Sequence, residues 1–369
     1  VYKKVRMNKQ DAVYMARALV LAKRGAYTTQ PNPRVGCVLV KNNAIIAEGW
    51  HVRAGQGHAE VEALKKTDSA DGATAYVTLE PCSHFGRTAP CAEALIKSGV
   101  ERVVIAMQDP NPLVAGKGIA LLEAAGIETR SGVLESEARE VNKGFIQRML
   151  NNKPYVVSKL AMSLDGRTAM ASGESKWITS AEARHDVQQL RASAGAILTG
   201  IDTVLADDPS MNVRLDGVDV AQPIRVILDS SLKTPITAKI LTLAGRSLIL
   251  TCSGDSEKIA ALKQANAEVY TLAKNSQGRL DLSAVLQFLA DQQVNDVLVE
   301  AGSTLNGALM EQGLIDECIV YMAPSLLGAS GRGLFDMPHI NKMSEKKQLE
   351  ILDMRKVGVD IRLQFKVKK

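Results

Sequence analysis

Two α/β domains in series are the fold class this chain predicts, on three observations. At 369 residues and 39.6 kDa it is too long for one ordinary core. Short apolar runs of strand type alternate with helical stretches through both halves, the pattern of sheets layered with helices. A polar, proline-containing joint, NNKP, interrupts that alternation once. We place the boundary at Asn151–Lys153, which gives domains at 1–150 and 153–369.

Each element has its own signal. Residues 8–25 set Val13, Ala16 and Val20 at helical spacing and stop at Gly25, so they open the chain with a helix. VGCVLVKNNAIIAEGW reads as two strands turning at Asn42–Asn43. A helix opening near His58, the strand ATAYVTLE and a helix opening near Cys91 follow. The strand RVVIAMQDP and the helix IALLEAAG complete a three-layer α/β domain. Past the joint come the strand YVVSKLAMS, a helix across AEARHDVQQLRA, and the strands AILTG, IRVILD, SLILTC and VLVEA, the last leading into a helix. There is no internal repeat.

Composition narrows the function classes. With 46% hydrophobic and 23% charged residues the chain is of soluble globular type. No apolar run has the length of a signal peptide core or a bilayer span, so the expectation is a cytoplasmic protein with no membrane partner. Five cysteines then read as reduced thiols rather than a disulfide framework. The charge of +5 is uneven: residues 1–150 carry 20 Lys/Arg against 15 Asp/Glu, and residues 151–369 carry 25 against 25. A modest basic excess suits a small anionic ligand or RNA. A neutral second half and only 4% aromatic residues speak against nucleic acid as the partner. A homodimer is the expected assembly.

The chemistry concentrates in residues 58–91. A hydrolytic zinc site needs three imidazole or thiolate ligands, an open position for water, and a carboxylate beside that water. His58-Ala59-Glu60 supplies an imidazole and a carboxylate at a helix start. Cys82 and Cys91 each lie near a helix start, where the dipole favours thiolate. H-x-E alone, or two cysteines nine apart alone, would mean little. Together they make Zn²⁺ held by His58, Cys82 and Cys91 the favoured reading, with Glu60 as the unligated proton carrier, which is the plan of zinc nucleobase deaminases. A purely structural zinc site would prefer four protein ligands. Cys37, Cys252 and Cys318 have no ligand partner at useful spacing and read as core residues.

The spacing of those cysteines carries a resemblance. Cytidine and tRNA-adenosine deaminases use C-x-x-C, whereas this chain has Cys82 and Cys91 around the insertion SHFGRTAP. With Pro31-Asn32-Pro33-Arg34-Val35-Gly36 and His51, Gly55 and His58 to Glu60, it resembles the bifunctional riboflavin-biosynthesis deaminase/reductases. Their usual TPPC is Thr88-Ala89-Pro90-Cys91 here. The resemblance implies a cytidine-deaminase-like first domain acting on a diamino-ribosylamino-pyrimidinone 5′-phosphate. It also implies that Asn32, His51 and His84 hydrogen-bond the base or ribose, and that Arg87 pairs with the phosphate.

No G-x-G-x-x-G follows a strand in the second half. VLVEAGSTLNGAL instead runs from a strand through Glu300 and Gly302 into a helix whose first amides could bind a phosphate. SKLAMSLDGRTA, SGESKWITS and TVLADDPSMNVR resemble the reductase half of the same family. That resemblance implies a dihydrofolate-reductase-like fold and hydride transfer from NADPH to the ribosyl C1′. Carried over by position, it puts Ala161, Trp177, Thr203, Asp207 and Gly302, Ser303, Thr304, Leu305, Asn306, Gly307 and Ala308 on the cofactor. Ser175, Arg191, Arg214 and Glu300 fall on the substrate, with Lys159 and Asp165 as further candidates.

Overall fold

The computed structural model describes residues 8–83, 90–112 and 114–368. They form two compact units that divide after Asn152.

The first unit contains α1 (Lys9–Lys23), β1 (Gly36–Lys41), β2 (Ala44–Trp50), α2 (Ala59–Leu64), β3 (Thr74–Val77), α3 (Cys91–Lys97) and β4 (Arg102–Ile105). α4 (Lys117–Ala124), β5 (Glu128–Ser131), α5 (Glu135–Val141) and α6 (Lys143–Asn151) complete it. Its sheet has the order β2-β1-β3-β4-β5. β1 is antiparallel to both neighbours, and β3, β4 and β5 run parallel. The β1–β2 hairpin turns at Asn42 and Asn43, both with positive φ, which asparagine tolerates better than most residues. Alternate strand residues enter opposite cores. Cys37, Leu39, Val77 and Ile105 pack with α2, α3 and α4, while Val38, Val40, Tyr76 and Val104 pack with α1, α5 and α6. Three layers result. Gly49 makes one close join possible: a Cβ there would lie 2.3 Å from the Ala59 carbonyl oxygen. α2 therefore seats directly on β2.

α1 forms where the spacing sets a helix. Val13, Ala16 and Val20 lie on its exposed side, and the buried face is Tyr14, Met15, Ala18, Leu19, Leu21 and Ala22. Apolar residues surround this helix, so periodicity alone does not choose a face. Asp11 helps to fix it: buried, it takes paired hydrogen bonds of 2.9 Å from Arg102 and another from the Tyr76 hydroxyl. β3 also ends at Val77, three residues short of the expected Glu80, and Thr78–Cys82 continues as irregular chain into the site.

The second unit opens with β6 (Tyr155–Ser163), β7 (Arg167–Ala169), α7 (Ala181–Ser193), β8 (Ala196–Gly200), α8 (Ile201–Asp207), β9 (Ile224–Leu228), α9 (Lys239–Thr242) and β10 (Ser247–Thr251). Then come α10 (Ser256–Gln264), β11 (Glu268–Thr271), α11 (Leu282–Asp291), β12 (Asp296–Val299), α12 (Ser303–Glu311) and β13 (Glu317–Ala323). β14 (Arg332–Gly333), β15 (Leu349–Val357) and β16 (Asp360–Val367) close the unit. The nine-stranded sheet has the order β11-β10-β9-β8-β12-β6-β13-β16-β15. It is parallel from β11 to β13 and antiparallel from β13 to β15. One face packs on α11 and α12, the other on α9, α10 and, through Ile319 and Tyr321, α7.

Cys37 and Cys318 are core residues as expected, but Cys252 is only partly buried at the end of β10. No described helix is long and apolar enough to cross a membrane.

Candidate functional site

The first unit gathers its reactive side chains where β3 and its neighbours end. His58 is the N-cap of α2, so its ring leaves the helix where the chain turns in. Cys91 is the first residue of α3, following Pro90, and Cys82 lies five residues past the end of β3. The His58 Nδ1 is 3.1 Å from the Cys91 sulfur and 3.5 Å from that of Cys82. All three ligand atoms lie within 4.8 Å of one another. A tetrahedral zinc ion, with Zn–S about 2.3 Å and Zn–N about 2.0 Å, would hold such atoms roughly 3.5 Å apart. The donor set fits. Among the described residues no fourth His, Cys, Asp or Glu joins this group.

Its electrostatics suit a cation. The Cys82 thiol is pulled down to about 4 by the hydrogen bond from Cys91, which outweighs burial, with help from His58 and the Cys91 amide. Cys91 moves in the opposite direction because the pair holds one proton between two sulfurs. The Cys91 amide donates to the Cys82 sulfur at 3.3 Å. Glu60 is only 3% exposed. Burial, and then the charge of Cys82, raises its carboxyl from 4.5 to about 7, the range in which a group can both take and give a proton.

His51 and Asn32 form a chain beside it. The His51 Nδ1 lies 3.1 Å from the Gly57 carbonyl oxygen, which can only accept. The other ring nitrogen, 3.1 Å from the Asn32 amide nitrogen, is then the acceptor. Burial lowers the His51 pKa, in keeping with a neutral ring. His51 is 2% exposed with both nitrogens engaged, so it is placed to orient Asn32. His84 and Arg87 lie outside the described residues.

In the second unit, the ends of β8, β12 and β6 are neighbours in the parallel sheet. They carry most of the expected residues: Thr203 and Asp207 on α8, Glu300 to Ala308 after β12, and Ala161 on β6. Ligands of open α/β sheets bind at such carboxyl ends. Glu300 is the hub. Arg191 grips it with two hydrogen bonds, 2.6 and 3.0 Å, and the Lys159 ammonium is 3.5 Å away. Burial pushes the Glu300 carboxyl up, but Arg191 and then Lys159 outweigh that and hold it at about 2. Arg191 also donates to the Asn212 carbonyl, and Arg214, exposed, to the Asn212 side chain at 2.7 Å. Asp207 pairs with Lys176 at 3.1 Å, linking α8 to the segment that holds Ser175 and Trp177. Trp177 is 72% exposed, with the Arg184 guanidinium 4.7 Å from its ring centre.

Two residues of the glycine segment face inward. Asn306, fully buried, accepts from the Ser158 hydroxyl and donates to the Ala301 and Gly302 carbonyls. A Cβ on Gly307 would lie 2.0 Å from the Asp336 oxygen. Their side-chain positions thus serve the turn, while Gly302 and Thr304 are exposed. Asp165 organises another loop, accepting from the Ser163 hydroxyl and the Leu327 and Gly328 amides. Sequence reasoning missed Asn212 and Gln188, which accepts from the Arg214 amide; short polar residues among others of their kind carry no signal.

Comparison with known proteins gives this geometry a class. Residues 8–107 match the cytidine and deoxycytidylate deaminase zinc-binding region, and residues 154–363 match the RibD C-terminal domain. The molecule is thus a two-part enzyme, a zinc-binding deaminase region followed by a reductase domain. The riboflavin biosynthesis protein RibD of Escherichia coli K12 is 50% identical over 364 residues, 95% of this chain and 98% of that one. That of Haemophilus influenzae is 46% identical, over 96% and 97%. The structure of Acinetobacter baumannii RibD (form 1) has a TM-score of 0.91 at 49% identity, covering 98% of this chain and 99% of that one. A deaminase/reductase from Thermotoga maritima gives 0.86 at 30%, covering 97% and 99%. The chain belongs to the RibD family, the bifunctional deaminase/reductases of riboflavin biosynthesis.

The ion cluster makes a stability prediction. Glu300→Ala should destabilise the protein by about 3–5 kcal/mol at neutral pH, because it strands two largely buried cations. Since the folded pKa is depressed, the contribution is complete above the ordinary 4.5 and is lost as pH falls through about 2. Urea unfolding of parent and variant, followed from pH 7 downwards, should therefore show the difference closing only in strong acid. A gap that closes already by pH 5 would contradict the assignment.

Proposed function

We propose that residues 1–150 deaminate 2,5-diamino-6-ribosylamino-4(3H)-pyrimidinone 5′-phosphate. Residues 153–369 then reduce the ribosyl side chain with NADPH to give 5-amino-6-ribitylaminouracil 5′-phosphate. The observation that carries the first half is the convergence of His58, Cys82 and Cys91 beside buried Glu60. These three side chains would hold one Zn²⁺. Bound there, zinc supplies Lewis acidity that makes water nucleophilic near neutral pH. Glu60, poised near 7, takes a proton from the attacking water and returns it to the departing ammonia. Asn32, oriented by His51, hydrogen-bonds the substrate; His84 and Arg87 are proposed for the ribose and phosphate. The Thermotoga relative's name, a diaminohydroxyphosphoribosylaminopyrimidine deaminase and 5-amino-6-(5-phosphoribosylamino)uracil reductase, supports this substrate.

For the second half, NADPH would lie along Ala161, Trp177, Thr203, Asp207 and the turn from Gly302 into α12. It supplies the hydride. Ser175, Arg214 and the Arg191–Glu300 pair would orient the ring-opened ribosylamine so that its C1′ faces that donor. Arg214 is the better phosphate partner of the two arginines, because the Arg191 guanidinium already grips Glu300. The site we propose is cytoplasmic.

A homodimer formed by pairing of β15 is part of this reading. β15 is the edge of the nine-stranded sheet and exposes Leu349, Ile351, Leu352 and Met354, a surface that demands cover. Glu350 stands near one end and Arg355 and Lys356 near the other. An antiparallel second copy would set acidic against basic ends. Sedimentation of the parent as a dimer and of Ile351→Lys as a monomer is expected; a monomeric parent would exclude the pairing.

The two activities separate in one assay. Glu60→Ala should keep its zinc by elemental analysis while deamination falls by about 10²–10⁴-fold. Supplied with the deaminated intermediate, the same variant should consume NADPH at the parent's rate. A variant that still deaminates normally, or a parent that leaves NADPH unchanged with that intermediate present, would overturn the corresponding half.

A further inference from the structure

Glu80 is a buried acid that the reaction does not use. It is 5% exposed and stands two residues before Cys82. Its carboxylate accepts four backbone N–H groups. Oε2 takes those of Asp109 at 3.1 Å and Gly116 at 2.9 Å; Oε1 takes those of Gly118 at 2.9 Å and Ile119 at 3.2 Å. Two of these donors lie in the first turn of α4, where orphan amides and the helix dipole favour an anion. Its own N–H donates to the Met107 carbonyl at 3.0 Å. Side chain and main chain are thus both tied to the segment that follows β4.

The clamp continues through Pro81. An added Cβ on Gly118 would lie 1.9 Å from the Pro81 carbonyl oxygen, so α4 sits directly against the peptide that leads into Cys82. On the other side the Cys82 carbonyl accepts from the Ala92 amide at 3.2 Å, and its sulfur accepts from the Cys91 amide. Cys82 has no helix or strand of its own. Its place is set by Glu80 before it and α3 beside it.

We infer that Glu80 is a positioning residue for the metal site: its four-amide clamp holds the Glu80-Pro81-Cys82 turn so that the Cys82 sulfur meets His58 and Cys91. This rests on the metal reading above. Partners that orient metal ligands characteristically change metal affinity about 10–100-fold when removed. A carboxamide in place of the carboxylate keeps the shape but turns an N–H pair toward two backbone N–H groups, which breaks half of the clamp.

The test is zinc affinity by chelator competition, with the absorption bands of the cobalt-substituted protein as a second readout. Glu80→Gln should bind zinc about 10–100-fold more weakly and shift the cobalt bands. Leu122→Ala, a cavity one turn further along α4 that removes none of the four amides, should lower stability while leaving affinity within about threefold and the spectrum unchanged. Should Glu80→Gln not fold, Gly118→Ala, which keeps the carboxylate but presses its Cβ on the Pro81 carbonyl and, at 3.2 Å, on the Glu80 Cγ, should show the same loss and shift. Affinity and spectrum unchanged in the folded variant would overturn the inference, as would Leu122→Ala matching Glu80→Gln. Cys82→Ser separates the two failures. If it releases zinc and Glu80→Gln does not, only the role of Glu80 falls; if it keeps zinc, the metal reading falls with it.

Discussion

A ring nitrogen and two sulfurs meet in a half-buried recess because three chain segments end there together. Much of the first unit can be understood as meeting that constraint. The α2 helix must seat closely on β2 for its N-cap His58 to reach inward, and glycine at position 49 permits it. α3 must begin at Cys91, and the irregular turn after β3 must deliver Cys82 without a regular element to support it. Buried amide and carboxylate groups take over that support.

The second unit solves a different problem with charge. Its adjacent strand ends carry a buried carboxylate between a guanidinium and an ammonium. An isolated buried ion would be costly, whereas a satisfied cluster fixes the direction of each side chain. Beside the ends of β8, β12 and β6, Glu300, Arg191 and Lys159 therefore hold one another in place. Hydride transfer asks for orientation rather than a nucleophile, which is the part proposed for these side chains.

How much of this was legible in the sequence differed by kind of residue. Elements with strong local signals, such as the Asn42–Asn43 hairpin and the helices opening beside His58 and Cys91, stand where the pattern set them. For α1 periodicity gave the helix but not its face: Val13, Ala16 and Val20 point outward because apolar side chains surround it. The strands β5 and β15 were not read, since their exposed or charged residues hide the alternation; β16, DIRLQFKV, was missed although Ile361, Leu363, Phe365 and Val367 alternate cleanly. Of the site, the convergence of His58, Cys82 and Cys91 was readable because metal chemistry restricts residue type. That Arg191 binds Glu300, that Asn306 and Gly307 face inward, and that His51 orients Asn32 depend on contacts between distant segments. Glu80 had a faint signal, an acid ending an apolar run just before Pro81 and Cys82.

X-ray absorption at the zinc edge tests the central claim most directly. The account predicts one nitrogen at about 2.0 Å, two sulfurs at about 2.3 Å and a single oxygen from solvent. A third sulfur or a second imidazole closing the coordination sphere would contradict it, because no position would remain for the water that Glu60 is proposed to deprotonate.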